Sequence, residues 1–261
     1  MAFSISNGDY VLYLDADDLI CPDHIARLLS ALEGQEKDVI AFSQWDRFFT
    51  SFRDATFPSR PTNITKTGVE WLLTDWEQVN MQQCGMFLIP RVHVERLGGW
   101  VPQLSRGPCD DFEFFARIIT ESRMMVFVQE AKLYYRSGLV GSLSRRTTRT
   151  AIEAKFESTL LGTSHLLAKD NSGRSRLACA NKLQNFIYET YPEHPDLIGD
   201  AARLVRDLAT PTVQPGGPPG FKLLKRLIGW RLAKRVQRWA TLAGLNRASW
   251  HGSRQKQPAT L

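Results

Sequence analysis

Nine residues near the amino end, Tyr10-Val11-Leu12-Tyr13-Leu14-Asp15-Ala16-Asp17-Asp18, run from unbroken apolar character straight into three carboxylates. Five consecutive β-favouring residues with no polar alternation predict a strand covered on both faces, as in a parallel α/β sheet. Ligands in such sheets bind beyond the carboxyl ends of the strands. Asp15 and Asp17, two apart, point the same way in extended backbone, and a tighter turn brings Asp18 close as well. Like charges crowded there call for a counter-ion. Hard oxygen ligands at this spacing suit Mg²⁺ or Mn²⁺ bridging to a substrate phosphate better than zinc, which favours His or Cys. The same acids also suit an Asx turn or a helix N-cap, because Cys21-Pro22-Asp23 opens a helical pattern soon after.

What such a site can serve is bounded by size and charge. A chain of 261 residues, 43% hydrophobic and 23% charged, buries one sizeable core plus an appendage, or two small domains. Cys21, Cys84, Cys109 and Cys179 lie far apart and form no C-x-x-C pair, which predicts reduced thiols, no disulfide framework and no zinc site. No basic segment followed by an apolar one opens the chain, and no run approaches the roughly 18 apolar residues of a membrane span. The expectation is a cytoplasmic protein, neither secreted through a cleaved signal nor integral. Ala2 to Gly8 reads as the end of a helix closed by Asn7-Gly8, with the strand following at once. A parallel strand needs neighbours and a preceding crossover, so the chain is expected to start in the middle of a domain.

After the acids, Ile25, Leu28, Leu29 and Leu32 keep helical spacing up to Gly34, and Val39 to Phe42 form a second short strand. Strand, acid loop, helix and strand make a βαβ unit with a right-handed crossover, the Tyr10–Leu14 strand lying beside Val39–Phe42. Residues 44–65 read as irregular with room for one hairpin. Trp71 and Trp76, on or beside a short helix, are expected in the core. Cys84-Gly85-Met86-Phe87-Leu88-Ile89-Pro90-Arg91 is a strand stopped by proline, followed by a short helix and the turn Gly98-Gly99-Trp100. The helix from Asp110-Asp111-Phe112-Glu113 opens on acids that its dipole favours, yet capping does not easily account for both after a Gly-Pro loop. Strands at 124–128 and 131–136 then lead into a Ser/Arg-rich stretch up to Thr150.

These elements in this order, an apolar strand into Leu-Asp-Ala-Asp-Asp, a Gly-Met-Phe-Leu-Ile-Pro-Arg segment, Gly-Gly-Trp, an acidic pair opening an aromatic helix, and Tyr134-Tyr135-Arg136 before a serine loop, resemble the family 2 glycosyltransferases of the GT-A fold. The resemblance covers about residues 1–145. It implies a partial GT-A, Rossmann-like α/β sheet, a nucleotide-diphosphate sugar donor such as a UDP-sugar, a glycan or lipid-linked acceptor, Mg²⁺ or Mn²⁺, and inversion by a single in-line displacement. By motif, Asp17 is the metal ligand, with Asp15 directed toward metal, ribose and diphosphate. Asp110-Asp111 matches the family's Glu-Asp pair, with Asp111 as general base, and Asp110 stands where Glu is usual. A base of this kind contributes about 10² to 10⁴ in rate. Arg136, Arg145 and Arg146 are candidate cations for the departing diphosphate, and a solvated basic loop is the plainer reading of them. Gly99 and Trp100 either line the acceptor pocket or form a structural turn. In this family the strands holding the nucleobase precede the D-x-D strand, so the chain starting at Met1 is expected to show little transfer and no saturable UDP binding. An alternative from another class is a non-catalytic remnant or interaction protein. A haloacid-dehalogenase-type phosphatase lacks its final strand-borne acids here, because Ser105 to Cys109 is no strand, and an EF-hand loop has Ile20 where glycine is needed.

The organisation expected is a GT-A portion over 1–150, a helical extension over 151–210, a Pro/Gly linker over 211–220 and a basic amphipathic tail over 221–261. His165 and His194 have no partner at ligand spacing and are expected to pack ordinarily. Residues 221–245 hold seven Lys and Arg residues and no acid, and account for most of the net charge of +6. Leu232, Val236, Trp239, Ala240 and Ala243 share one helical face, opposite Arg231, Lys234, Arg235 and Arg238, with a break expected near Gly229-Trp230. A basic amphipathic helix with Trp at its boundary fits an anionic membrane surface on the cytoplasmic face. No nucleic-acid motif accompanies the charge.

Overall fold

The computed structural model describes residues 2–60, 64–139 and 146–243. Strand β1 (Tyr10–Val11) leaves the acid loop at its end, β2 is Leu19–Ile20, α2 is His24–Leu32 and β3 runs Val39–Phe48, with a short helix α1 (Ala2–Ile5) ahead of them. Next come β4 (Thr65–Lys66), α3 (Gly68–Glu77), β5 (Phe87–Pro90), α4 (Arg91–Leu97), α5 (Asp110–Thr120) and β6 (Met124–Arg136). Helices α6 (Arg149–Lys169), α7 (Gly173–Thr190), α8 (Pro195–Leu208) and α9 (Pro219–Leu242) follow. The strand order is β1-β5-β3-β6-β2, with β4 also on β6. Only β3 and β6 pair in parallel; the other neighbours are antiparallel.

Four expectations change. Strand β1 does not lie beside β3, because β5 inserts between them, antiparallel to both. The two remain mutually parallel, so the strand-helix-strand connection spans one extra place in the sheet. Nor is β1 covered on both faces: Tyr10 to Tyr13 are half-buried, Leu14 is exposed, and among the described residues no strand pairs with its outer edge. The two strands expected at 124–128 and 131–136 are one, with a bulge. Ser43 faces Val128 but Gln44 faces Lys132, so residues 129–131 loop out, and Gln44 donates to the Gln129 carbonyl at 2.6 Å. Across that bulge β3 continues to Phe48, through a stretch whose Gln44, Asp46 and Arg47 disguise it as a loop.

The core sits between the sheet and α3 and α5. Trp71 and Trp76 are buried as expected, Trp71 meeting Phe42 and Phe87 edge-on at 5.4 and 5.6 Å. On α5 the residues Phe114, Phe115, Ile118 and Ile119 are buried, each contributing about 1.5–3 kcal/mol of apolar transfer. Helices α6 and α7 pack against this half: Ser158 donates to the Cys109 carbonyl at 2.6 Å, and Arg174 pairs with Glu70 and Glu77. The connection over 209–218 has no regular structure but is held to α7, where Asn181 bonds Thr212 and Tyr188 donates to the Val213 carbonyl. Helix α9 breaks at Gly229, at φ 76° and ψ 159°, as its residue pattern predicts. Among the described residues no helix is long and apolar enough to cross a membrane.

One charged residue in this core is almost fully buried. Glu113, 2% exposed, pairs with Arg117 at 2.7 Å and accepts from His165 Nε2 at 2.9 Å. Arg117 also donates to the carbonyls of Leu97, Gly98 and Gly99 at 2.7–2.8 Å, so the Gly-Gly-Trp turn is gripped by α5. Trp100 stacks on Phe114 at 4.6 Å, which assigns this turn a structural role. His165 therefore packs as expected, with an acid partner 52 residues away.

Burial alone would raise the Glu113 carboxyl, but hydrogen bonds from His165 and Arg117 outweigh it and hold the group near 2. Its folded value lies below the ordinary 4.5, so its stabilisation is complete above pH 4.5 and is lost as pH falls toward 2. Glu113→Gln, leaving Arg117 uncompensated, should cost about 3 kcal/mol in urea unfolding at pH 7 and flatten the acid limb below pH 4.5.

Candidate active site

Five carboxylates arrive from two directions. The turn after β1 closes with Asp18 N–H donating to the Asp15 carbonyl at 3.2 Å, and leaves the side chains of Asp15 and Asp17 exposed. The N-cap reading does not hold for these acids, since α2 starts at His24 after Asp23. Asp18 instead turns inward, buried, and accepts from the Arg136 backbone N–H at 2.8 Å. The Arg136 guanidinium donates to the Asp17 carbonyl at 3.0 Å and lies over the Phe48 ring. Arg136 thus fastens the acid loop to the end of β6. Arg146 is exposed, and Arg145 lies outside the described residues.

From the other side comes the first turn of α5. Cys109 precedes it in left-handed backbone at φ 68°, and the Asp111 N–H is capped by Asp110 Oδ1 at 3.1 Å. Asp111 receives the Cys84 thiol at 3.6 Å. The chain beside Cys84 meets the acid strand directly, because a side chain on Gly85 would lie 2.9 Å from Leu14 Cδ1. Tyr13 packs edge-on against Phe114 and Trp100, locking the strand end to α5.

The charges register this proximity. Desolvation raises the Asp15 carboxyl, with Asp17 and Asp110 pushing the same way. Burial raises Asp111 to about 6, followed by repulsion from Asp110 and, after the opposing Cys84 bond, from Asp15. Burial raises Asp18 to about 7 against the Arg136 N–H bond, with Asp15 and Asp17 adding to the rise. The Cys84 thiol is raised by burial and then by Asp111 and Asp15. The structure therefore brings Asp15, Asp17, Asp18, Asp110 and Asp111 into one electrostatic neighbourhood.

Does this donor set suit a divalent cation? Among the described residues no cluster of three His, Cys, Asp or Glu side chains converges on one point. The Asp15 and Asp17 carboxylates are outward-facing, and no hydrogen bond or ion pair engages them among the described residues. Two free carboxylates beside a phosphate are the protein's usual share of a Mg²⁺ or Mn²⁺ site that takes its other ligands from substrate and water. The residues fit an ion arriving with its diphosphate rather than a resident one.

Asp111 also lines a cavity of about 540 Å³, walled by Phe112 and Phe115 of α5, Lys155 of α6, and Lys182 and Phe186 of α7. Cys84, Lys155 and Lys182 were not singled out from the sequence. Their partners are distant in the chain, and no local spacing announces them.

Residues 1–98 match the family model described as Glycosyl transferase family 2. No curated protein matches the chain. The match supports a family 2 glycosyltransferase-like domain and, with it, glycosyltransferase activity in general; the mixed α/β sheet followed by helices is consistent with a partial GT-A fold. It includes Asp15 and Asp17 and stops short of Asp110, Asp111 and Arg136, whose placement rests on the geometry above.

The Asp18 shift gives a direct check. Native Asp18 keeps a proton that the unfolded chain releases near 3.8, so native stability falls as pH rises from about 4 to 7. In chelator, Asp18→Asn should melt with the parent at pH 4 and above it at pH 8; a difference independent of pH would contradict the assignment.

Proposed function

We propose that the chain carries the acceptor-side residues of an inverting, metal-dependent glycosyltransferase. The observation that carries this reading is the placement of Asp111, held by Cys84, in the wall of a cavity and within electrostatic reach of Asp15 in the matched segment. An acceptor hydroxyl entering the cavity loses its proton to an Asp111 carboxylate oxygen as its own oxygen bonds to the anomeric carbon. The bond from that carbon to the diphosphate oxygen breaks on the opposite face, which inverts the centre. Asp15 and Asp17 are the residues that would hold Mg²⁺ or Mn²⁺, which would supply charge neutralisation to the leaving diphosphate. Asp110 caps the Asp111 backbone, and Arg136 keeps the acid loop in place. The donor class is a nucleoside-diphosphate sugar such as a UDP-sugar.

A base near 6 is ionised at neutral pH and close enough to it to accept a proton. In an active enzyme containing this chain, Asp111→Asn should leave donor binding intact and lower turnover by about 10² to 10⁴, with the parent's rate falling below pH 6. Asp17→Asn should weaken Mn²⁺-dependent donor binding instead. Full transfer in chelator, or unaltered turnover in the Asp111 variant, would overturn these roles. A second reading, an interaction protein without catalysis, is favoured by the outer edge of β1, which no strand among the described residues pairs and which invites pairing with another chain. It predicts no transfer in the same assay.

The organisation into a GT-A portion, a helical extension and a basic tail enters this reading through α9. Trp230 docks on Tyr188 and Tyr191, Ala233 is buried, and Arg238 pairs with Glu193. Leu223, Leu227, Leu232, Val236, Trp239 and Leu242 face outward with 45–73% exposure. These exposed apolar side chains on either side of the Gly229 break, flanked by Lys222, Arg226, Arg231 and Arg235, with no acid in α9, suit an anionic lipid surface, which would hold the enzyme on the cytoplasmic membrane face. The chain should sediment with phosphatidylglycerol vesicles and not with phosphatidylcholine ones. Salt, or replacing Leu232, Val236 and Trp239 by Ser, should release it; equal sedimentation with both lipids would count against the surface.

A further inference from the structure

The cavity beside Asp111 is walled largely by residues beyond the matched segment, and its charged lining is Arg47, Lys155 and Lys182 against Asp111 and Glu189. The floor is apolar, from Trp45, Phe112, Phe115 and Phe186. Of the cations, Lys155 is already neutralised by Glu189, which lines the same cavity. Lys182 is different. Its side chain is 10% exposed, and its nearest carboxylate, Asp75, stands at 3.8 Å and is itself bonded by Gln82 at 2.8 Å. The ammonium donates to the Asn80 carbonyl at 3.1 Å and lies over the Trp76 and Phe112 rings. An ammonium has three donors, and the ring contacts occupy its faces without accepting a full hydrogen bond. Arg47, at the end of β3, lines the same cavity, with its guanidinium over Tyr135 and one nitrogen toward Met81 Sδ. Lys182 thus has a counter-ion, but a long one, and its remaining donors face an aromatic-floored cavity where a further anion can meet them.

We propose that this cavity accepts a saccharide bearing a negatively charged group, a carboxylate or a phosphate, which Lys182 and Arg47 bind while the attacking hydroxyl faces Asp111. The inference deepens the transferase reading by naming the acceptor class, and makes Lys182 and Arg47 specificity-determining residues. The anion completes the Lys182 hydrogen bonds, and the aromatic floor receives the ring. Helices α6 and α7 thereby contribute substrate selection to a reaction whose carboxylates lie on the sheet half.

The test is equilibrium binding to the full chain without donor, so that failure of transfer and failure of this inference show separately. Calorimetry would compare methyl glucuronoside, glucose 6-phosphate and methyl glucoside. One charged ligand should bind about 10-fold or more tighter than the neutral glycoside, as charge-assisted hydrogen bonds allow; which one it is distinguishes carboxylate from phosphate. Lys182→Met should bring charged and neutral ligands to parity while sparing the neutral one, and Arg47→Met, at a half-buried position, should do so in part even where the Lys182 variant unfolds. Equal affinities in the parent, saturation by none of the three, or a charge preference that survives Arg47→Met unchanged would overturn the proposal.

Discussion

The buried Glu113–Arg117 pair is the constraint on which the placement of the site depends. A carboxylate 2% exposed survives only if its charge is met, and here it is met by Arg117 from one turn further along α5 and by His165 from α6. The same guanidinium collects three backbone carbonyls from the Gly-Gly turn. One ion pair therefore sets the rotation of α5, the seat of α6 and the path of the chain into Trp100. With α5 so oriented, its first turn presents Asp111 to the cavity and to Cys84, while Phe114 and Phe115 face the sheet.

The acids of the site stand in deliberate contrast. Glu113 is held near 2 by partners that outweigh its burial, whereas Asp111 is raised to about 6 and Asp18 to about 7, because burial and neighbouring carboxylates act together. Paired and unpaired carboxylates within one core separate structural from chemical work. Asp18 belongs to neither class cleanly: its backbone partner fixes the loop, and its raised carboxyl registers the field of Asp15 and Asp17 that a cation arriving with a diphosphate would relieve.

What was legible in the sequence was local. The acid turn after β1, the apolar stripe of α5, the core positions of Trp71 and Trp76 and the break at Gly229 each follow from the spacing or backbone freedom of neighbouring residues. Strand order was not legible, because β5 wins its place between β1 and β3 through pairing across tens of residues. The second half of β3 was hidden by Gln44, Asp46 and Arg47, polar residues that sit in a strand because the bulge in β6 carries the ladder onward beside them. Lys182 and Glu113 were invisible as site and core charges for the same reason: their meaning lies in partners on other elements.

The central claim is that the acid loop after β1 and the first turn of α5 form one site, and it is open to a direct electrostatic measurement. Carbon-detected NMR titration of Asp111 in the parent chain should give a midpoint near 6, and Asp15→Asn should lower that midpoint, because the Asp15 charge is one of the groups raising it. An Asp111 midpoint in the ordinary carboxylate range, or one unmoved by Asp15→Asn, would place the two acidic motifs in separate environments and contradict the shared site.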